Sequence, residues 1–106
     1  MHTLAPVLAL LAALFAVSAH AEEHVVVQKN KSFPTKKLTV HVGDTVKFVN
    51  DDPFAHNIFS LSDTKSFDLG SYGHGLSKSV TMDKPGEVDV ECAVHPEMKM
   101  TIQVQP

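Results

Sequence analysis

Residues 87–98 read Glu-Val-Asp-Val-Glu-Cys-Ala-Val-His-Pro-Glu-Met, and this stretch decides the fold class. Its first half alternates charged and apolar residues, which is the pattern of a half-buried β-strand. Successive side chains of a strand point to opposite faces, so Val88, Val90 and Cys92 share the inner face. The thiol is therefore expected to enter the protein interior where the strand ends.

The second half of the stretch offers three metal donors. Cys92, His95 and Met98 are spaced at i, i+3 and i+6, so one tight loop can present a thiolate, an imidazole and a thioether to a single ion. Thiolate with imidazole suits copper, zinc or iron, whereas a thioether as a weak, long ligand is typical of a two-His, one-Cys copper centre for electron transfer. Such a centre needs a second histidine from elsewhere in the chain.

We assign that second imidazole to His56, which stands at the first position of a predicted strand after the loop at 51–55. Adjacent strand ends of a sandwich converge at one pole, so His56 and Cys92 are expected to meet. Two thioethers compete for the weak position. Met100 is in the inward phase of the last strand, which core packing explains, whereas Met98 lies in the loop; we favour Met98.

The rest of the chain is strand-like. Alternating or apolar runs occur at 24–28, 38–42, 45–50, 56–60, 76–82, 87–92 and 99–104. The runs at 38–42 and 45–50 flank Gly43-Asp44 and look like a hairpin. Segment 61–75 is the least regular. With no sustained helical period, we predict an all-β, Greek-key β-sandwich of seven to eight strands.

The N-terminal segment predicts export. Residues 4–17 are apolar but too short to span a bilayer comfortably, and residues 18–21 read Ser-Ala-His-Ala, an A-x-A cleavage signal. We therefore interpret residues 1–21 as a secretory signal peptide and residues 22–106 as a single periplasmic domain, with no membrane association after cleavage.

Composition excludes several classes of partner and activity. The chain has nine lysines, no arginine, twelve acidic residues and a net charge of −3, which argues against nucleic acid or an anionic membrane surface. Its single cysteine cannot form an internal disulfide, so metal ligation is the expected use of an exported thiol. A cysteine hydrolase is disfavoured, because nothing near Cys92 supplies an oxyanion hole or an orienting Asn or Asp. We expect a monomer and no enzymatic activity.

The segment 51–57 (DDPFAHN), followed by the Cys92-x-x-His95-Pro96-x-Met98 pattern, resembles the cupredoxin family of small type 1 copper proteins, amicyanin-like members most closely. The resemblance implies one copper ion bound by four ligands, with Asn57 helping to join the ligand loops: His56, Cys92, His95 and Met98. Plastocyanin- and pseudoazurin-like members place the methionine two residues later, which would correspond to Met100.

The resemblance also implies single-electron transport between redox proteins, such as a c-type cytochrome or a dehydrogenase. We take His95 as the electron port, with Pro53, Phe54 and Pro96 as its apolar surround and the carboxylates of Asp51 and Asp52 steering partners.

An alternative function is copper tolerance or delivery on the same fold. Cleavage after Ala21 would place His24 third in the mature chain, where a free amine, two amides and an imidazole can bind Cu(II). The simpler interpretation is a histidine that begins the first strand. His74, between two glycines, is a further candidate for extra copper, although a solvated loop histidine is the simpler interpretation.

Overall fold

A computed structural model describes residues 20–106, so nearly all of the predicted signal peptide lies outside the described residues. Within this range the chain forms eight strands and no helix: β1 (Glu23–Gln28), β2 (Lys37–His41), β3 (Thr45–Asn50), β4 (His56–Leu61), β5 (Ser66–Tyr72), β6 (Ser77–Thr81), β7 (Gly86–Cys92) and β8 (Lys99–Gln105). Accordingly, residues 20–106 hold no helix that could span a membrane.

The strands form two sheets that enclose the core. One sheet has the order β1-β3-β6 and the other β2-β8-β7-β4-β5. β1 runs parallel to β3 and β2 parallel to β8, whereas the remaining pairs are antiparallel. The inner faces meet through fully buried side chains of both sheets, among them Val46 and Phe48 from the first and Val88, Val90 and Ile102 from the second. The predicted all-β sandwich is confirmed, with eight strands.

The predicted hairpin at Gly43-Asp44 is wrong. β2 pairs with β8, whereas β3 pairs with β1 and β6, so the two strands belong to opposite sheets. Alternation shows only that each strand buries one face, and it cannot tell which sheet that face belongs to. The connection crosses between sheets, with Gly43 at a φ of 95° and its N–H donating to the Met82 carbonyl at 2.7 Å. Val42, which continues the alternation of Leu38 and Val40, is 41% exposed because the chain has already left β2.

β5 lies in segment 61–75, for which the sequence predicted no regular strand. The register of the β4–β5 ladder shifts between Asn57 and Phe59, and Gly70 within β5 adopts a φ of 73°. Both features interrupt the two-residue alternation by which a strand is recognised in sequence.

The arrangement of β4 and β7 places two predicted ligands at one pole of the sandwich. The strands are antiparallel, with Ile58 opposite Cys92. The first residue of β4, His56, therefore lies beside the last residue of β7, as predicted from their positions at strand ends.

Candidate metal centre

Cys92 is fixed by the backbone around it. Its side chain is 2% exposed, its N–H donates to the Met98 carbonyl at 3.2 Å, and the N–H of Ala93 donates to the Asn57 carbonyl at 2.9 Å. A further bond from the Met98 N–H to the His95 carbonyl at 2.9 Å closes the loop on itself. The loop after β7 is thus held both internally and to β4.

Two imidazoles face the sulfur of Cys92. The Nδ1 atom of His56 lies 3.7 Å from Sγ and the Nδ1 atom of His95 lies 3.9 Å from it, with the two ring centroids 5.1 Å apart. The three donor atoms all lie within 4.8 Å of one another. The structure therefore brings together three of the four predicted ligands, from two separate segments of the chain.

These separations fit one transition-metal ion. A metal about 2.3 Å from a thiolate and about 2.0 Å from an imidazole, with an angle of 120° between them, puts the two donor atoms about 3.7 Å apart. The observed sulfur–nitrogen distances of 3.7 and 3.9 Å match that value. A soft thiolate with two neutral imidazoles is also the donor set that copper prefers.

Asp52 orients the imidazole of His56. Its Oδ2 atom lies 2.8 Å from Nε2 of His56, and both side chains are buried. With Nε2 donating to the carboxylate, the Nδ1 atom is left as a lone-pair donor towards Cys92. Asp52 was expected from the sequence to steer partners by its charge; it is instead a buried residue that holds a predicted ligand.

Asp52 is itself held by a tight turn at Asn30 and Lys31. Asn30 and Lys31 have left-handed φ values of 55° and 54°, and their N–H groups donate to Oδ1 at 2.7 Å and Oδ2 at 3.0 Å of Asp52. Burial of Asp52 opposes ionisation, but the N–H groups of Lys31 and Asn30 and the bond from His56 outweigh burial and lower the pKa of Asp52. The carboxylate is thus kept charged beside His56.

Asn50 organises the loop that leads to His56. Its side-chain amide donates to the carbonyls of Phe54 at 2.8 Å and Tyr72 at 2.9 Å, and its Oδ1 accepts the N–H of Asp52 at 2.8 Å. The sequence did not identify Asn50 as part of the site, and it did not identify Asp52 as the partner of His56. The signal for Asp52 was its i, i+4 spacing to His56, which by itself is common and unspecific.

The rim of the site is apolar. The ring centroid of Phe54 lies 5.5 Å from that of His56 and 5.2 Å from that of His95. His95 is partly exposed, Pro53 and Pro96 are exposed, and Val94 is 56% exposed. His95 is therefore the residue of this donor group that reaches the surface, beside the ring of Phe54.

Both candidate thioethers are buried. Met98 has no exposed surface and Met100 is 3% exposed, so core packing accounts for the loop methionine as well as for the strand methionine and does not distinguish them. Position separates them instead. Met100 lies within β8 opposite Val90, two positions before Cys92 in β7, whereas Met98 lies in the ligand loop and its carbonyl accepts the N–H of Cys92.

The two other candidate histidines lie outside this donor group. His74 is exposed and its Nδ1 contacts the Asp52 carbonyl at 3.1 Å. His24 belongs to a separate cluster with Glu22 and Asp44.

Comparison with known proteins agrees with the geometry. Residues 21–105 match the model of a family described as copper binding proteins, plastocyanin/azurin family. A methylamine utilization protein, MauL, from Methylorubrum extorquens is 28% identical over 91 residues, which cover 85% of this chain and 80% of that protein.

Solved structures show the same fold. A Cu(I) form of an amicyanin mutant superposes with a TM-score of 0.72 at 25% identity, covering 78% of this chain and 82% of that one. A reduced amicyanin mutant at pH 4 gives 0.72 at 26% identity, covering 85% and 87%. A copper-containing nitrite reductase from Thermus scotoductus gives 0.74 at 33% identity, but this chain spans only 22% of that protein.

Proposed function

The chain belongs to the plastocyanin/azurin family of copper-binding proteins, and on that basis we propose that it is a periplasmic carrier of single electrons. The observation that carries the proposal is the placement of Cys92 Sγ within 3.9 Å of two imidazole Nδ1 atoms, in a buried position beside a partly exposed ring. One type 1 copper ion is the cofactor. When bound, it supplies one-electron chemistry by alternating between Cu(I) and Cu(II).

We assign the ligands as His56, Cys92, His95 and Met98. The first three are supported by the distances between their donor atoms. Met98 is supported by its place in the ligand loop and by the hydrogen bond that ties its carbonyl to Cys92. Three strong donors and one weak donor leave no position for a substrate, unlike a catalytic metal site that keeps water in its shell.

The protein's contribution is to hold these donors still. His56 is fully buried and hydrogen-bonded through Nε2 to Asp52, and Cys92 lies between two backbone hydrogen bonds that join it to β4 and to its own loop. A donor set fixed in this way needs little rearrangement when its charge state changes. Fast single-electron exchange is the activity that such rigidity favours.

Electrons would enter and leave through His95. Its Nδ1 faces the sulfur, the residue is partly exposed and its ring lies 5.2 Å from that of Phe54, with the exposed residues Pro53, Val94 and Pro96 in the same two loops. A small apolar patch around a redox-active ring suits the brief, weak docking of electron-transfer partners. The partner would be another redox protein, such as a c-type cytochrome or a dehydrogenase; MauL, by its name, acts in methylamine utilization.

The likeness to nitrite reductase is a likeness of one domain. This chain spans 22% of that enzyme, so the match supports the fold and a copper site rather than the whole enzyme's reaction. We propose no catalytic activity for this chain.

Copper tolerance or delivery on the same fold is the second candidate. It is favoured by the separate His24 cluster, which offers donors for a further ion. The two functions differ in whether the first copper ion is readily given up. Transfer of copper from the loaded protein to a chelator within seconds would support delivery, whereas retention with fast electron exchange would support transport.

The deciding experiment is a visible absorption spectrum of the mature protein with one equivalent of Cu(II). We expect an intense thiolate-to-copper band that disappears in Cys92→Ser. Met98→Leu should shift the band and Met100→Leu should leave it in place. A weak band that survives Cys92→Ser would mean nitrogen-only ligation and would reject the electron-transfer site.

Mass spectrometry of the exported protein tests the location. A mature chain beginning at Glu22 and recovered from the periplasm is expected. An uncleaved, membrane-bound chain would contradict the assignment of residues 1–21.

A further inference from the structure

A second group of metal donors lies at the opposite end of the sandwich from Cys92. Glu22, His24 and Asp44 each offer one donor atom, all within 4.8 Å of one another. Asp44 precedes β3, whereas Asn50 at the other end of the same strand belongs to the loop that leads to His56. The length of β3 therefore separates the two groups.

Local structure explains why the three side chains meet. Residues at i and i+2 of an extended chain point to the same side, so Glu22, just before β1, lies on the same side as His24, and Val26 continues that side into the core. Asp44 lies in the connection between the sheets and is 3% exposed. Glu22 and His24, at the start of β1, thus lie against the carboxylate of Asp44 in the connection between the sheets.

Asp44 is already held by backbone donors. Its Oδ1 accepts the N–H of Glu22 at 3.0 Å, and its Oδ2 accepts the N–H of His41 at 2.8 Å. The Glu22 carbonyl also accepts the N–H of Thr45 at 2.9 Å, which fixes the backbone on the other side of the cluster. Metal-ligating carboxylates are themselves hydrogen-bonded in this way, because the bonds orient the free lone pairs.

The distances suit one ion. The Nε2 atom of His24 lies 2.9 Å from Oδ2 of Asp44 and 3.9 Å from Oε2 of Glu22. Two ligands about 2.1 Å from a tetrahedral Zn²⁺ lie about 3.4 Å apart, which falls between these values. Small movements of the 74% exposed Glu22 side chain would equalise the distances.

The charge of the cluster favours a cation. Two carboxylates give the side chains a formal charge of −2, which the terminal amine of a mature chain beginning at Glu22, bonded to Asp44 Oδ1, reduces to −1; no lysine among residues 20–106 forms an ion pair with Glu22 or Asp44. We propose that Glu22, His24 and Asp44 form a second site, which binds a divalent transition ion of the Zn²⁺ or Cu²⁺ class independently of the copper centre. The ion would take the place of the hydrogen bond between His24 Nε2 and Asp44, with the imidazole proton carried on Nδ1, and would leave its remaining positions to water.

This site differs from the one that the sequence suggested for His24. A Cu(II) site made of the terminal amine, two amides and an imidazole needs a free amine at Glu22 and tolerates no residue before it. The side-chain site uses no terminal amine. Adding a residue before Glu22 therefore distinguishes them.

The test uses mature protein loaded with Cu(I), so that the copper centre is filled and diamagnetic, and titrates it with Zn²⁺ by calorimetry and by NMR of the backbone amides. We expect one Zn²⁺ per chain, with shifts at residues 22–24 and 41–45 and none at 92–98. His24→Gln should weaken binding at least tenfold. Glu22→Gln should weaken it less, because water can replace an exposed ligand.

His74→Gln, at the other pole, is the matched control and should bind Zn²⁺ like the unmodified protein. A chain that begins at Ala21 should also bind normally. The proposal is overturned if His24→Gln binds as tightly as the unmodified protein, if the chain beginning at Ala21 loses binding, or if no Zn²⁺ binds at about 1 mM, a concentration that would half-fill even a very weak site.

Discussion

Two histidine–aspartate pairs lie at the two ends of this sandwich, and they differ in the role that the carboxylate plays beside the histidine. At the copper end, His56 Nε2 lies 2.8 Å from Asp52 and its Nδ1 faces the thiol. At the other end, His24 Nε2 lies 2.9 Å from Asp44 and 3.9 Å from Glu22. In the first pair the carboxylate orients a ligand through the nitrogen that the metal does not use. In the second, the carboxylate and the histidine face the same space and are both candidate ligands.

Burial accompanies this difference. His56 is fully buried, so no water can take the place of Asp52 as the acceptor for its Nε2. The His24 side chain, in contrast, is 21% exposed. The copper end is thus built to keep one geometry, whereas the other end is open enough to admit an ion in place of the His24–Asp44 hydrogen bond. The following variants, made in metal-free protein, compare the two ends.

Asp52→Ala should have the largest effect. It leaves the buried Nε2 of His56 and the N–H groups of Asn30 and Lys31 without their acceptor, and we expect a loss of about 3 kcal/mol in the free energy of unfolding. Urea denaturation measures it. The exposed neighbour Asp51→Ala is the control and should change stability by less than about 0.5 kcal/mol. Equal losses in both variants would show that the buried acceptor does not stabilise the fold.

Asp44→Asn should have a smaller, pH-dependent effect. Hydrogen bonds from the Glu22 and His41 N–H groups and from His24 lower the pKa of Asp44 from 3.8 to about 2. Because the folded value lies below the unfolded one, the charged carboxylate stabilises the protein above about pH 4, and this contribution is lost as the pH falls towards about 2.

The measurement is the stability of both proteins in a chelator at a series of pH values. The gap between unmodified protein and Asp44→Asn should be constant between about pH 7 and about pH 5 and should narrow below about pH 4. A gap that is unchanged at about pH 2 would mean that Asp44 acts as a neutral hydrogen-bond acceptor only.

Spacing along the sequence predicted the ligands at the copper end, but it did not predict the carboxylate that holds one of them. Cys92 and His95 lie in one short loop, and His56 could be found from its place at a strand end. Asp52 and Asp44 read as turn residues, because their partners Asn30 and Glu22 are each 22 positions away in sequence. The roles of both carboxylates depend on which strands lie side by side, and alternation does not fix that.

The hairpin at Gly43-Asp44 was predicted wrongly for the same reason, because alternation does not show which strands are neighbours. β2 and β3 each alternate, and Gly43-Asp44 is a good turn dipeptide, but the turn joins two sheets instead of two neighbours in one sheet. The apolar pattern determined that a sandwich forms. The order of strands within each sheet depends on long-range pairing, so the sequence predicted the fold class and not the connection.

Gly43→Ala should destabilise the end that holds Asp44. Gly43 has a φ of 95°, and a Cβ placed there would meet no atom within 4 Å, so the cost is purely one of backbone conformation. We expect a loss of about 1.5 kcal/mol by urea denaturation. Gly73→Ala, which also has open space but no left-handed φ, is the matched control. A loss shared by both variants would place the cost elsewhere than in the φ of Gly43.

Lys31→Gly should have the smallest effect, and of the opposite sign. Lys31 occupies the second left-handed position of a two-residue turn, where Asn-Gly is the preferred pair, and glycine keeps the N–H that donates to Asp52. Relief of the backbone is partly offset by loss of the ammonium that lies 5.5 Å from the Phe54 ring centroid, so the net gain should be about 0.5 kcal/mol. Lys31→Ala loses the same side-chain contact without relieving the backbone and should be less stable than Lys31→Gly by about 1 kcal/mol. If the alanine and glycine variants were equally stable, the left-handed turn that holds Asp52 would carry no strain, and the two ends of the sandwich would differ only in their side chains.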